Sequence, residues 1–368
     1  MRILAIEPFY GGSHRSFLDG WRHHSRHDFT ILGLPAYKWK WRMRHAPLTM
    51  AEQLREQSKH TDWDVVWCSD MLNLPEFIGL TPPSVRSLPR VAYFHENQLT
   101  YPVREASERD LHFAYSNFMT AVCADQLWFN SNYHRTDFLQ ALQKYLSRMP
   151  DFQHTEQTSH IRRKSTVQYP GIEPSEPRTR REPGPMRVCW NARWEHDKNP
   201  EDFFEACRRL KKQNFDFRLI VLGESFRSSP NVFQEARDEF AQEIMQWGFA
   251  ESRKAYVRWL RESDVIVSSA IHEFFGIGVV EAVANGAIPV LPNRLAYPEV
   301  LRTINVAACK PYGESAEDLA EAIESLGPLI QSTASHEIAL QLQQSAAEFS
   351  WSVRARQMDD AIERLVGT

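Results

Sequence analysis

The sequence predicts an α/β protein made of two doubly wound domains. Short, nearly continuous apolar runs alternate with longer amphipathic stretches through both halves of the 368 residues. This alternation is typical of parallel strands covered by helices on both faces. It stops in one charged, proline-rich stretch and then begins again. A chain of this length is also sufficient for two hydrophobic cores, so we expect two domains joined by a linker.

The first domain is expected to span residues 1–170. The apolar runs that predict its strands lie at 2–6, 28–32, 64–68, 90–94 and 126–130. Each run is followed by a loop and a helical pattern, and the first of these helices is expected over about 13–24.

The second domain is expected to span 186–345, after a linker at 171–185. Its strands are predicted by the apolar runs at 187–190, 217–222, 264–268 and 287–291. A final amphipathic helix is expected over about 350–365. Ligands of such sheets bind beyond the carboxyl ends of the strands, so two domains that face each other would form a cleft lined by post-strand loops.

Composition excludes several classes of protein. A chain that is 42% hydrophobic and 24% charged is not disordered throughout. The start, MRILAIEPFYGGSH, is interpreted as a strand and a turn rather than a signal peptide, and no apolar run approaches the roughly 20 residues of a membrane span. The five scattered cysteines indicate neither a metal site nor a disulfide framework. We expect them to be buried in a cytoplasmic protein.

The net charge of −4 is unevenly distributed. Residues 1–183 carry 23 Lys and Arg against 20 Asp and Glu, whereas the remainder carries 20 against 27. A polyanion would therefore meet the first half more readily, although chance variation of surface charge would give the same numbers.

The segment EFFGIGVVE at 273–281 follows a predicted strand and opens a helix. Gly276 and Gly278 let the backbone approach a ligand, and the amides of a helix start favour an anion such as a pyrophosphate. Glu281 can accept hydrogen bonds from ribose hydroxyls, and Glu273 can hold sugar hydroxyls. The alternative is a buried helix with a capping Glu273 and a surface Glu281.

A second polar segment, NARWEHDKNP at 191–200, follows the first strand of the second half. Arg193 and Lys198 can converge on one diphosphate, the guanidinium as a fork and the ammonium as a point charge. The alternative is a loop whose charges are solvated.

Two polar segments of the first half also point to function. The run KWKWRMRH at 38–45 interleaves cations with aromatic rings, which suits phosphate contacts and base stacking on single-stranded RNA. An amphipathic strand with its tryptophans in the core is the alternative. The second segment, His-Glu-Asn-Gln at 95–98, follows a buried strand. A lone histidine there would more often be structural, but four polar residues in a row indicate a functional role. Basic residues at 162–164, 178 and 180–181 would extend the basic surface unless they are merely solvated.

Together, the segments at 191–200 and 273–281 resemble the group-4 retaining glycosyltransferases of the GT-B fold. This resemblance implies two Rossmann-like domains that face a cleft, and a closing helix within 346–368 that crosses back to pack on the first domain. One departure is Leu295-Ala-Tyr297, where the family has Gly-Gly before Pro298-Glu299. The residues that the resemblance implies for donor binding are Gly11, Gly12, Asn191, Arg193, Lys198, Phe249, Glu273, Phe275, Gly276, Ile277 and Glu281.

The first half resembles one family more closely. The runs EPFYGGSH at 7–14, LPAYKWKWR at 34–42, YFHENQLTYP at 93–102 and FNS at 129–131 are similar to the tRNA-queuosine α-mannosyltransferases. The resemblance implies GDP-mannose as donor and the queuosine base at the wobble position of tRNA(Asp) as acceptor. The residues expected to bind tRNA are His14, Lys38, Trp39, Lys40, Trp41, Arg42, Arg44, Glu96, Asn97, Gln98 and Tyr101.

The expected reaction is metal-independent transfer with retention, without a cofactor. The sequence shows neither a carboxylate pair at nucleophile spacing in the first half nor a DxD-like metal motif at a strand end. We expect an oxocarbenium-like state with front-face attack, in which Glu273, Arg193 and Lys198 act on the donor and His95 orients the sugar. Two alternatives stay open: a group-4 transferase with another nucleotide sugar and a glycan or lipid-linked acceptor, and a non-catalytic RNA-binding protein on this fold. No membrane partner is expected.

Overall fold

The computed structural model describes residues 1–57, 62–102, 110–226 and 229–367. The chain forms two compact units, one of Met1–Gly171 with Trp351–Thr368 and the other of Ile172–Ser350. Each unit contains a six-stranded sheet whose neighbouring strands are parallel. The predicted α/β class is confirmed.

The first unit has the strand order β2-β1-β3-β4-β5-β6. Its strands are β1 Arg2–Tyr10, β2 Asp28–Pro35, β3 Val65–Ser69, β4 Arg90–Phe94, β5 Gln126–Phe129 and β6 Ser165–Val167. Its helices up to residue 171 are α1 Gly12–His24, α2 Trp39–Gln57, α3 Leu74–Leu80, α4 Pro83–Arg86, α5 Leu111–Cys123, α6 Asn132–Leu146 and α7 Gln157–Arg163.

Strand β1 shows why the apolar runs of the sequence are continuous. Leu4 and Ile6 pack into the hydrophobic cluster on one face of the sheet, and Ile3 and Ala5 pack into the cluster on the other face. Successive side chains of a strand point to opposite faces, so the four residues Ile3–Ile6, which have a core on both faces, are all apolar.

The second unit has the strand order β12-β11-β10-β7-β8-β9. Its strands are β7 Met186–Asn191, β8 Phe217–Leu222, β9 Ile244–Gly248, β10 Val265–Val267, β11 Ile288–Pro292 and β12 Lys310–Tyr312. Its helices are α8 Pro200–Lys212, α9 Val232–Glu239, α10 Arg253–Glu262, α11 Ile277–Ala284, α12 Tyr297–Ile304, α13 Ala316–Glu324, α14 Gly327–Gln331 and α15 Ala334–Ala346.

The last helix, α16 Trp351–Val366, belongs to the first unit although it follows the second along the chain. Its apolar face packs in the cluster that contains Trp21. Asp359 is buried and accepts hydrogen bonds from Trp21 Nε1 at 2.8 Å, Ser25 Oγ at 2.7 Å and the backbone N–H of Arg26 at 2.9 Å. One carboxylate therefore fixes the helix against the end of α1.

The expected linker contains two arginines that are buried rather than solvated. Arg178 and Arg181 contact the buried carboxylate of Asp264 at 3.1 and 2.9 Å, and Arg178 also donates to the backbone oxygen of Gly286 at 2.8 Å. A buried carboxylate needs compensating cations, which explains why these arginines turn inward. Our interpretation of both as part of a basic surface is therefore wrong.

One alternative and one further expectation are corrected. The run at 38–45 is predominantly helical, since α2 begins at Trp39, and is not an amphipathic strand. All five cysteines are free thiols, but Cys123 and Cys309 are half-buried rather than buried. Among the described residues, no helix is both long and apolar enough to cross a membrane.

Candidate active site

Lys198 is held in a buried ion-pair cluster beyond the end of β7. It closes the short 3-10 helix His196–Lys198, and its Nζ lies 3.0 Å from Asp197 Oδ2 and 3.3 Å from Glu273 Oε2. The ammonium also donates to the backbone oxygen of His272 at 2.8 Å. Burial lowers the pKa of Lys198, but Glu273 and Asp197 outweigh burial and raise it, so the side chain stays cationic.

Arg193, the other predicted diphosphate ligand, has a different environment. Its guanidinium is about half exposed and contacts Glu195 Oε2 at 3.2 Å. The two cations lie on one loop, one buried and one accessible to solvent.

Glu273 is an anion fixed at the start of α11. Burial raises the pKa of its carboxyl, but Lys198 and the backbone N–H of Phe275 outweigh burial and lower it. Gly276 follows with a φ of 88°, a conformation that favours glycine, and a Cβ there would lie 2.9 Å from the ring of Tyr297. This turn connects Glu273 to the start of α11. The first backbone N–H groups of that helix have no helical partners and are available to a ligand.

Glu281 is held by two side chains that sequence reasoning did not single out. Arg253 donates to Oε1 at 2.6 Å, and the hydroxyl of Tyr256 donates to Oε2 at 2.6 Å. Asn191 donates from Nδ2 to the Tyr256 oxygen at 2.7 Å and to the backbone oxygen of Gly278 at 3.1 Å. The Glu281 side chain is 16% exposed, so it is not a solvated surface residue. Arg253 and Tyr256 had only the pattern of an amphipathic helix in the sequence.

Other predicted donor residues divide between exposed and packed positions. Phe249 is 76% exposed and follows Gly248, whose φ is 94°. Phe275 is buried, with its ring 5.6 Å from that of Phe349, so only its backbone is available to a ligand. Ile277 opens α11 and is half-buried.

The departure at 295–297 has a structural counterpart. Leu295 has a φ of 60°, in the left-handed region that glycine occupies without strain. Tyr297 is buried beneath the Gly276 turn, and its hydroxyl lies 2.6 Å from Ser268 Oγ. The backbone therefore retains a glycine-like turn, and tyrosine fills the space below it.

In the first unit, a buried carboxylate organises the loop after β1. Glu7 Oε1 accepts from Ser69 Oγ and from the backbone N–H of Phe9, both at 2.9 Å, and Oε2 lies 3.2 Å from His14 Nδ1. Gly11 and Gly12 lie between them; a Cβ on Gly11 would clash with Ala36, and Gly12 has a φ of 52°.

His14 and His95 form a close pair of tilted rings with opposite protonation preferences. Their ring centroids are 4.0 Å apart. Burial lowers the pKa of His14, but Glu7 outweighs burial and raises it to about 9. Burial, and then the charge of His14, lower the pKa of His95 well below its ordinary value. Burial also raises the pKa of Asp70, whose Oδ1 accepts from the backbone N–H of His95 at 2.9 Å, to about 7. The sequence singled out neither Glu7 nor Asp70.

Among the described residues, one group has the composition and spacing to hold a metal ion. Its members are Glu7, His14 and His95, whose ligand atoms lie within 4.8 Å of one another. In this structure Glu7 Oε2 lies 3.2 Å from His14 Nδ1, a hydrogen-bond contact in which a proton lies between the two atoms. We interpret the group as a site that holds a proton.

The loop after β4 is shaped by Asn97. Its side chain is completely buried, and Oδ1 accepts from the N–H groups of Leu99 and Thr100 at 3.1 and 3.0 Å. Direct binding of tRNA by this side chain conflicts with its burial, so we assign Asn97 a loop-forming role. The neighbouring predicted residues Glu96, Gln98 and Tyr101 are half-buried.

The predicted RNA-binding run lies on and just before the first turns of α2. Trp41 is 64% exposed, whereas Trp39 packs on Phe113 at 5.3 Å. Arg44 lies over the same Phe113 ring at 4.7 Å, and Arg42 donates to the backbone oxygen of Pro35 at 3.0 Å. Lys38 and Lys40 are exposed. The alternative that both tryptophans belong to the core is contradicted by Trp41.

Two family models match the chain, one for each half. Residues 2–172 match the tRNA-queuosine α-mannosyltransferase N-terminal family, and residues 173–327 match the group 1 glycosyl transferases. A tRNA-queuosine α-mannosyltransferase of Drosophila melanogaster is 34% identical over 310 residues, which cover 81% of each chain. The chain belongs to the tRNA-queuosine α-mannosyltransferase family.

Solved structures bear out the GT-B fold of this tRNA-queuosine α-mannosyltransferase family member. Anabaena HepE in complex with UDP aligns with a TM-score of 0.69 and 14% identity, covering 99% of this chain and 100% of HepE. Sucrose-phosphate synthase from Thermosynechococcus elongatus aligns with a TM-score of 0.70 and 12% identity, covering 100% of both chains. At these identities, the similarity describes the fold alone.

Proposed function

We propose that this glycosyltransferase moves mannose from GDP-mannose to the queuosine base at the wobble position of tRNA(Asp), with retention of configuration. The observation that carries the proposal is the similarity to the Drosophila tRNA-queuosine α-mannosyltransferase over most of both chains. The ion pair between Lys198 and Glu273 and the anchored carboxylate of Glu281 support the donor half of the proposal.

The second unit contains the groups that we assign to the donor. Glu281 would accept hydrogen bonds from the ribose hydroxyls, because Arg253 and Tyr256 already fix the direction of its carboxylate. Glu273 would hold sugar hydroxyls. Lys198, Arg193 and the amides of the Gly276 turn would stabilise the negative charge that develops on the leaving diphosphate.

In the proposed reaction, the bond between sugar C1 and the diphosphate oxygen breaks as the bond between C1 and an acceptor hydroxyl oxygen forms on the same face. The acceptor proton passes to the leaving phosphate. His95, neutral beside the cationic His14, would orient the sugar by hydrogen bonding. All charge changes are then met by fixed protein groups, so we propose that the reaction needs neither a metal ion nor a cofactor.

The first unit provides a surface suited to tRNA. Lys38 and Lys40 can contact phosphates, and the exposed ring of Trp41 can stack on an unpaired base. We propose that the protein acts in the cytoplasm, on a tRNA that already carries queuosine.

The deciding experiment is incubation with queuosine-containing tRNA and GDP-mannose, followed by mass spectrometry of the digested nucleosides. We expect queuosine heavier by one hexose, and loss of this product with Arg193→Ala. The matched control is Arg208→Ala, which removes an arginine that pairs with Glu239 at 2.8 Å and with Glu205 at 3.6 Å, neither of which is a proposed site residue. Absence of product with the unaltered protein would reject this donor and acceptor pair and require other nucleotide sugars and tRNAs.

A further inference from the structure

We propose that Glu7 is a positioning residue: it bonds Nδ1 of His14 and so holds that side chain as an imidazolium whose Nε2–H is presented to a phosphate oxygen of a substrate. The proposal rests on the proposed transferase function, because it assigns the phosphate to one of the two substrates of that reaction.

Strand β1 buries a carboxylate inside the sheet. Glu7 has no exposed surface, and its oxygens are engaged by Ser69, by the Phe9 N–H and by His14. An apolar residue at this position of β1 would cost the fold less, since a buried carboxylate loses its hydration and needs a cation nearby. The cation that Glu7 has is His14 itself, 3.2 Å away.

Glu7 engages only one of the two ring nitrogens of His14. Nδ1 is engaged by Glu7, and Nε2 has no hydrogen-bond partner in the described part of the chain. The His14 side chain is 10% exposed, so the ring is enclosed but reachable. An imidazolium fixed on one side offers a single charged N–H donor on the other, and such a donor favours an anionic oxygen.

The surroundings of His14 are mostly acidic. The charged and titratable groups that face it are Glu7, Asp70 and Glu96, together with the tilted ring of His95, whose centroid is 4.0 Å away. Three acidic groups around one imidazole favour its charged form, while His95 has buried Nε2 without a partner and stays neutral. The pair therefore carries one positive charge, and it lies on His14.

The anion is a phosphate because both proposed substrates carry phosphates as their anionic groups. It is either the diphosphate of the nucleotide sugar or a phosphate of the tRNA backbone. Measuring the binding of GDP and of tRNA separately distinguishes these two sources.

The test uses Glu7→Gln, which keeps the shape and a hydrogen bond but removes the charge, and Glu7→Asp, which restores the charge. Without the Glu7 charge, burial dominates and the pKa of His14 falls from about 9. Wild-type kcat/KM should therefore persist up to about pH 9, whereas that of Glu7→Gln should fall at a lower pH, with a loss of about 10-fold or more at pH 8 and less at pH 6. Glu7→Asp should recover part of the activity at pH 8. The control is Asp125→Asn, which neutralises the partner of Arg90.

The binding measurements and the His14 resonance complete the test. Weaker GDP binding by Glu7→Gln would assign the phosphate to the donor, and weaker tRNA binding would assign it to the RNA. An unchanged pH profile, or an equal loss at every pH in a folded variant, would overturn the proposal. If the unaltered protein transferred no sugar, the proposed function would fail. In that case the Glu7–His14 pair would still be tested by titrating His14 with NMR. GDP and tRNA binding would also be measured in the unaltered protein and in Glu7→Gln.

Discussion

Replacing Glu281 with alanine removes the carboxylate that we assign to the ribose of the donor. The substitution leaves Arg253 without this partner, but that guanidinium is 57% exposed and remains hydrated. The Tyr256 hydroxyl loses its acceptor but keeps the hydrogen bond from Asn191, so a loss of about 1 kcal/mol of stability is expected. Loss of donor affinity is therefore the expected main effect.

The expected magnitude follows from the hydrogen bonds involved. A hydrogen bond to a charged group contributes about 1.5–3 kcal/mol. In the variant, water replaces the missing carboxylate as a partner of the ribose hydroxyls and regains part of that free energy. We expect a loss of about 2–3 kcal/mol, which corresponds to GDP binding that is roughly 30- to 150-fold weaker. Tyr256→Phe removes one 2.6 Å bond that orients the carboxylate and leaves the carboxylate in place, so about 2- to 12-fold weakening is expected.

Isothermal titration calorimetry with GDP measures both variants against the unaltered protein. The control is Glu239→Ala, which breaks a 2.8 Å ion pair with Arg208 in the same unit and should leave GDP affinity unchanged. If Glu281→Ala bound GDP within about 3-fold of the unaltered protein, or if Tyr256→Phe lost more affinity than Glu281→Ala, the ribose assignment would be refuted.

Further predictions concern the RNA surface, the metal-free reaction and the last helix. The double variant Lys40→Ala, Arg42→Ala should weaken tRNA binding in a filter assay and leave GDP affinity unchanged. The slope of log affinity against log salt concentration should decrease in magnitude by up to about 1.4. Weaker GDP binding with unchanged tRNA binding would show that the units are wrongly assigned. Dialysis against EDTA should leave hexose transfer unchanged, and restoration of lost activity by added zinc would contradict our interpretation of the Glu7 group. Asp359→Ala should lower the free energy of unfolding by about 2–4 kcal/mol in urea titrations, because three donors lose their acceptor; a change under about 0.5 kcal/mol would show that the contact is not stabilising.

The fold was largely predictable because its strands are buried on both faces. In β1, β3 and β4, continuous apolar runs leave few interpretations other than a parallel sheet, and the observed β4 coincides with the predicted run at 90–94. The boundaries that differ do so by one to four residues; β1 continues past the predicted end at residue 6 to Tyr10, and β2 continues through Gly33 to Pro35.

The tryptophan-rich run shows where periodicity fails. Trp39 and Trp41 are two residues apart, a spacing that suits one face of a strand. In helix α2, the same spacing turns Trp39 toward Phe113 and Trp41 toward solvent. The packing partner comes from α5, more than 70 positions away in the chain, so local pattern alone could not decide between the two.

Several side chains of the candidate site and of the second unit could not be identified from the sequence, because their partners are also distant along the chain. Tyr256 and Glu281 are 25 positions apart, and Arg178 meets Asp264 across 86 positions. A polar residue on an amphipathic helix, or an arginine among prolines, has the same appearance in sequence whether it is solvated or paired. The glycines at 276 and 278, in contrast, were informative because a special backbone conformation or a close approach restricts the residue type locally.

The position of α16 bears on how the protein is made. The first 171 residues leave the ribosome well before Trp351–Val366, yet Trp21, Ser25 and the Arg26 N–H have no Asp359 to bond until that helix is synthesised. During translation, the nascent first unit therefore exposes an apolar face and must wait for the second unit to emerge. Premature termination shortly before residue 351 would yield a chain whose second unit is complete and whose first unit is the one recognised by chaperones and proteases.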